Sequence, residues 1–125
     1  MTDTPPAEAI VLSDTSGRIR HWSAGAERLF GWSRADAEGR SLDLIVPEEF
    51  RERHWSAFHR AMRTAECKAD GATANLPVRC KDGGVRPFPA RFVFLRDARS
   101  RPVGAMAVYA TPSGAEVPFG PILDL

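Results

Sequence analysis

Pro47 to Thr64, P-E-E-F-R-E-R-H-W-S-A-F-H-R-A-M-R-T, is the stretch whose reading decides the fold. Phe50, His54, Ala57, Phe58, Ala61 and Met62 recur at three- and four-residue steps, the spacing that puts side chains on one helical face. Arg51, Glu52, Arg53, Arg60 and Arg63 take most of the other directions, as a solvated face should. Pro47 suits a first helical turn, and Glu48 and Glu49 favour the positive end of the macrodipole. The apolar stripe therefore belongs to one helix, and it carries a histidine, His54.

Upstream, the chain reads as short pieces. Ser41 opens S-L-D-L-I-V, and Ser33 opens R-A-D-A-E, which ends at Gly39. Ser23 caps A-G-A-E-R-L-F, closed by Gly31. Before these, Arg18 to Trp22 alternates polar and apolar, and Ala9 to Ser13 is a short apolar run of strand length. Asp14-Thr15-Ser16-Gly17 joins them with turn chemistry into a hairpin. Residues 1–7, with Pro5 and Pro6, read as a loose leader.

Downstream of Thr64, a small and polar loop leads into a strand near Asn75 to Lys81, and Lys81-Asp82-Gly83-Gly84 is a strong hairpin signal. Val85 to Arg96 is the next strand. Pro87 and Pro89 cannot donate to a ladder, which predicts an edge position or a bulge near its start. Phe88, Phe92 and Phe94 lie on one side of it. Asp97 to Pro102 turns into a last strand, Val103 to Tyr109, and residues 112–125 are a Pro/Gly-rich tail. Two strands, a block of helices and three more strands predict an α+β domain over residues 8–111. Its single antiparallel sheet would be covered on one face by the helices.

A chain of 125 residues is one domain by length, 43% hydrophobic and 26% charged. Its net charge of +1 provides no field for nucleic acid or membrane, and no apolar run approaches the roughly 20 residues of a spanning helix. The N-terminus has no basic region followed by an apolar one, so a cytoplasmic domain is expected. Cys67 and Cys80, without CxxC spacing, are expected as free thiols.

D-T-S-G-R-I-R-H-W-S-A-G-A-E-R-L-F-G-W-S, G-R-S-L-D-L-I-V-P-E-E-F-R-E-R-H, K-D-G-G-V-R-P-F-P-A and R-P-V-G-A-M-A-V-Y occur in an order and spacing that resembles the PAS domain. The resemblance covers residues 8–111. It implies a five-stranded antiparallel sheet flanked on one face by short helices and one longer helix, and a sensory or interaction module rather than an enzyme. A narrower resemblance is to haem-binding PAS domains of the FixL type, bacterial oxygen sensors, through Pro47-Glu48-Glu49-Phe50-Arg51-Glu52-Arg53-His54. That resemblance implies haem b with His54 as its axial iron ligand, and Arg60 and Lys68 toward the propionates. Ala57, Phe58, Ala61, Phe92 and Phe94 would line an apolar slot. Ala74 stands where that type carries an arginine that answers to bound oxygen, which opens the preference among O2, CO and NO. Phe92 and Phe94 are also bulkier than the aliphatic residues expected there.

Other readings stand beside this one. A histidine on an apolar stripe also serves as a packing residue. His59, about 100° further round the helix, is expected to face solvent, and His21 to be a partly exposed packing residue. Asp14, Asp43, Asp82 and Asp97 sit at turns, where capping explains them. No nucleophile elbow or Gly-rich phosphate loop is present. A-E-G-R-S-L carries arginine where flavin photosensors of the PAS class carry a reactive cysteine, which excludes that adduct chemistry. The readings carried forward are a haem b sensor of a diatomic gas, a haem-free module that binds a partner signalling protein or a second copy of itself, and a sensor of a small organic ligand.

Overall fold

Serine caps and aspartate turns build most of this domain, whose computed structural model describes residues 8–111. The leader expected over 1–7 and the tail expected over 112–125 lie outside the described residues. Strands β1 (Glu8–Ser13) and β2 (Ile19–Trp22) form the first hairpin. Helices α1 (Ala24–Phe30) and α2 (Arg34–Ala37), a 3₁₀ turn (Leu42–Leu44) and the long helix α3 (Glu48–Thr64) follow. Strands β3 (Thr73–Arg79), β4 (Val85–Arg96) and β5 (Pro102–Ala110) complete a five-stranded antiparallel sheet in the order β2-β1-β5-β4-β3. The first and last strands thus lie side by side in its middle, with Ala9 opposite Tyr109 and Ser13 opposite Ala105.

Local chemistry explains the punctuation. The hydroxyls of Ser23, Ser33 and Ser41 accept from the backbone N–H groups of Ala26, Asp36 and Asp43, so each helical piece starts on a side-chain cap. Asp14, Asp82 and Asp97 each accept backbone N–H groups two residues on, from Ser16, Gly84 and Arg99, which closes the three strand-to-strand turns. Gly25 has a different role: a side chain there would run into the carbonyl of Glu8, so its absence lets α1 lie directly on β1.

Three expectations need adjusting. Pro47 is the cap residue itself rather than the first helical residue, and it offers α3 no side-chain hydrogen bond. Strand β3 begins and ends two residues before the expected span. Thr73 and Ala74 pair with Arg91 and Ala90, whereas the Cys80 and Lys81 N–H groups go to the carbonyls of Gly84 and Phe30. Strand β4 is interior rather than an edge, and its register irregularity falls between Leu95 and Arg96, not near its start. The prolines are accommodated because Pro87 faces Pro77 and Pro89 faces Asn75 on β3, while pairing with β5 begins only at Ala90. Their missing donors point where no strand asks for one.

One face of β4 buries Phe88, Ala90, Phe92 and Phe94 against the helices. On the other, Ile10, Leu12, Val93, Leu95, Met106 and Val108 form a half-buried apolar band. The interior divides in two. Trp22, Phe30, Phe88 and Tyr109 anchor one part beneath α1 and α2. Ala57, Phe58, Ala61, Ala69, Ala74, Phe92, Phe94 and Ala105 make the other, beneath α3.

Candidate functional site: a hollow between the long helix and the sheet

Helix α3 buries only Ala57, Phe58 and Ala61 along its length, and the strands opposite offer alanine at 74 and 105. Small residues on both layers cannot fill the space between them. A cavity of about 90 Å³ results, walled by Phe50, His54 and Phe58 of α3, by Leu42, Ile45, Val46 and Pro47 at the helix entry, and by residues of β1, β3, β4 and β5. Its lining has no charged side chain. Ser13, His54 and Tyr109 are the only lining residues with polar side-chain atoms.

His54 is held by its neighbours on the same helix. Its ring meets Trp55 edge-on at 4.7 Å and stacks on Phe58 at 5.8 Å. Trp55 is fixed in turn by its indole N–H, which donates to Asp43 Oδ1 at 2.6 Å, and by the bare backbone of Gly17, where any side chain would overlap the indole. Arg51 ties the start of α3 to the segment before it by donating to the carbonyls of Val46 and Asp43, both at 3.1 Å. The His54 Nδ1 atom is buried and has no hydrogen-bond partner. Burial pulls the imidazole down to about 4, against a smaller upward pull from Asp43, so it is neutral at physiological pH. A neutral imidazole in an apolar wall is chemically able to ligate a metal, and an unpaired buried nitrogen there is a departure from the usual pairing of buried polar atoms.

Of the residues singled out from the sequence, the fold brings His54, Phe58 and Phe92 into the cavity wall. Ala57, Ala61, Ala74 and Phe94 pack in the same half of the core without lining it. Arg60 and Lys68 are exposed and lie outside the lining. His59 is exposed and stacks on Trp55, and His21 is exposed on β2. Cys67 and Cys80 are free thiols, with burial pushing the Cys67 thiol up. Sequence reasoning missed Ser13 and Tyr109. The alternation Ala9, Val11, Ser13 was the available signal for the first, since it points all three inward. The second follows from its register opposite Ala9.

The described residues hold no group of three His, Cys, Asp or Glu side chains able to bind a metal ion, a requirement that an axial haem ligand does not share. No helix among them is long and apolar enough to cross a membrane. The sequence profile of the PAS fold matches residues 7–109. The chain belongs to the PAS family. As a PAS domain it is a sensory module by class. It is 34% identical over 81 residues to the sensor protein FixL of Bradyrhizobium diazoefficiens, a match over 65% of this chain and 16% of FixL. It is 23% identical over 73 residues to the oxygen sensor protein DosP of Escherichia coli, covering 58% of this chain and 9% of DosP. The chain therefore spans less than a fifth of the length of these relatives. Among solved structures, the PAS domain of a Colwellia psychrerythraea protein superposes with a TM-score of 0.67 at 25% identity, over 82% of this chain and 83% of that one.

Proposed function

We propose that this PAS domain holds haem b through His54 and senses a diatomic gas. The observation that carries the reading is the neutral imidazole in the apolar wall, its Nδ1 buried without a partner. The likeness to an oxygen sensor and to FixL supports it. Part of the donor set suits the group: an imidazole for iron and hydrocarbon walls at Phe58, Phe92 and Leu76, while the exposed Arg60 and Lys68, outside the lining, would be the cations for the propionates. When bound, haem supplies a reversible site for O2, CO or NO. The protein's part is to orient the imidazole, keep it unprotonated and exclude water. About 90 Å³ takes several waters and falls short of the roughly 300–1,000 Å³ of ordinary ligand clefts. To hold haem, α3 would have to part from the sheet, and that change in the spacing of the two layers would be the signal. The apolar band of Ile10, Leu12, Val93 and Val108 on the outer sheet face is where a second copy or a partner signalling protein would read it.

Expression with a haem precursor tests this. A reddish protein with a Soret band is expected, and His54→Ala should lose the band while circular dichroism stays native. A colourless product, or a Soret band that survives His54→Ala, sinks the reading. The cavity's small volume favours a second one, a compact organic ligand in the same hollow, which native mass spectrometry of the colourless protein would detect as added mass.

A further inference from the structure

We propose that Asp43 and Trp55 form a latch that holds the first half of α3 down over the hollow; this rests on the reading above that α3 parts from the sheet to take up a ligand. The helix is held unevenly. Its second half buries Ala57, Phe58 and Ala61, whereas residues 48–56 are all half-buried or exposed. The far end is pinned, where Arg96 donates to the carbonyl of Ala65 at 2.7 Å. The near end starts without a side-chain cap at Pro47, unlike the helical pieces that start at Ser23, Ser33 and Ser41. Phe50 and His54 wall the hollow from this less buried half.

The segment beneath that half is fixed to the sheet. The Leu42 N–H donates to the Gly17 carbonyl at 2.9 Å and the Arg79 N–H to the Ile45 carbonyl at 2.8 Å. Among the described residues, no backbone group of α3 bonds to a strand. Side chains bridge the two instead. The Trp55 indole N–H donates to Asp43 Oδ1 at 2.6 Å with its ring seated against Gly17, and Arg51 donates to the carbonyls of Asp43 and Val46. The Arg51 and Asp43 side chains are 31% and 44% exposed, so water replaces their bonds when the helix lifts. A bond to a charged acceptor at a wet position holds the helix, yet its release leaves the core intact. The result is a two-state element: α3 swings on its buried second half, and the hollow is closed while Asp43 holds Trp55.

Labelling of thiols with iodoacetamide in the haem-free protein, read peptide by peptide by mass spectrometry, tests this. Ala105→Cys puts a thiol in the wall of the hollow at a position 5% exposed, and Cys67→Ser removes the half-buried native thiol. Cys80, 5% exposed in the packed half of the core, is the reference for global unfolding. Leu76→Cys, also in the wall, serves if Ala105→Cys does not fold. The wall thiol should label faster than Cys80 and with weak dependence on urea, because lifting α3 exposes little surface. Trp55→Phe, which keeps a ring and loses the donor, should speed labelling of the wall thiol about tenfold, the size of one hydrogen bond to a charged group. Asp43→Ala should do the same, and the double variant should be no faster than either. A wall thiol that labels only in step with Cys80, an unchanged rate in Trp55→Phe, or two effects that add overturns the latch. The Soret band is a separate readout: a colourless protein that shows the expected labelling keeps the latch and loses only the haem reading, and a red protein without it loses only the latch.

Discussion

The two halves of the core are built to opposite rules. Beneath α1, Phe30 meets Trp22 at 5.7 Å and both Phe88 and Tyr109 at 5.0 Å, the latter two edge-on, which is the preferred geometry of aromatic rings. Beneath α3, five alanines stand among three phenylalanines and the space is not filled. Polar satisfaction follows the same divide. Ser13 Oγ, Trp32 Nε1 and His54 Nδ1 are the buried side-chain polar atoms without partners among the described residues, and two of the three line the hollow. A protein departs from packing and pairing rules where it does something else. The contrast separates a close-packed half from one that keeps open space and unpaired polar atoms.

Truncating one ring in each half gives the largest effect and tests the contrast directly. Phe30→Ala should cost about 3–5 kcal/mol, because three rings lose their common partner and the void opens in close-packed surroundings. Phe58→Ala enlarges a hollow that already exists, so it should cost about 2–3 kcal/mol, since less packing is lost. Urea denaturation measures both, with Phe30→Leu as the fallback if the alanine variant does not fold. Equal costs would mean the two halves are equally well packed.

Much of the first half was legible before any coordinates. Ser23 before A-G-A-E-R-L-F and Gly31 after it mark a helix by chemistry that acts within a few residues, and Asp-Gly at 82–83 marks a turn the same way. Strand β4 was legible to its end residues, yet its place in the sheet was not. Whether Pro87 and Pro89 force an edge depends on where β5 begins to pair, and nothing local encodes that. The hollow was only partly legible. His54 stood out on the helical stripe and carries a motif, but Ser13 ends an apolar run like many serines. Its significance comes from Gly104 and the strands brought beside it, more than ninety residues on in sequence. A cavity is a failure of distant residues to meet, and no short stretch records that.

Next in size is a pH effect confined to the second half. His54 titrates at about 4 in the folded domain against 6.5 in a model peptide. Below pH 6.5 the unfolded chain takes up a proton that the folded domain refuses, so this contribution to stability falls as pH drops from 6.5 toward 4. The loss approaches roughly 3 kcal/mol. Urea denaturation of the haem-free domain at pH 7 and pH 5 should show the decline, and His54→Gln, which does not titrate, should flatten it. An unchanged slope in that variant would place the proton-sensitive group elsewhere and remove the reason for a neutral imidazole.

The smallest effect is the most discriminating. Ala107 is half-buried, lies opposite Val11 and Phe92 in the sheet register, and lines the hollow. Valine there adds two methyl groups to empty space on a strand, where branched side chains are well accommodated. Ala107→Val should therefore stabilise the haem-free domain by about 0.5–1 kcal/mol. The same methyl groups occupy room that a ligand needs, so haem uptake should fall as stability rises. Those opposite movements separate a hollow kept for binding from one left by imperfect packing. If Ala107→Val destabilises the domain, the space is already filled by its walls and the distinction between the two halves collapses. If it stabilises the domain and leaves uptake unchanged, the ligand sits elsewhere and His54 is a packing residue.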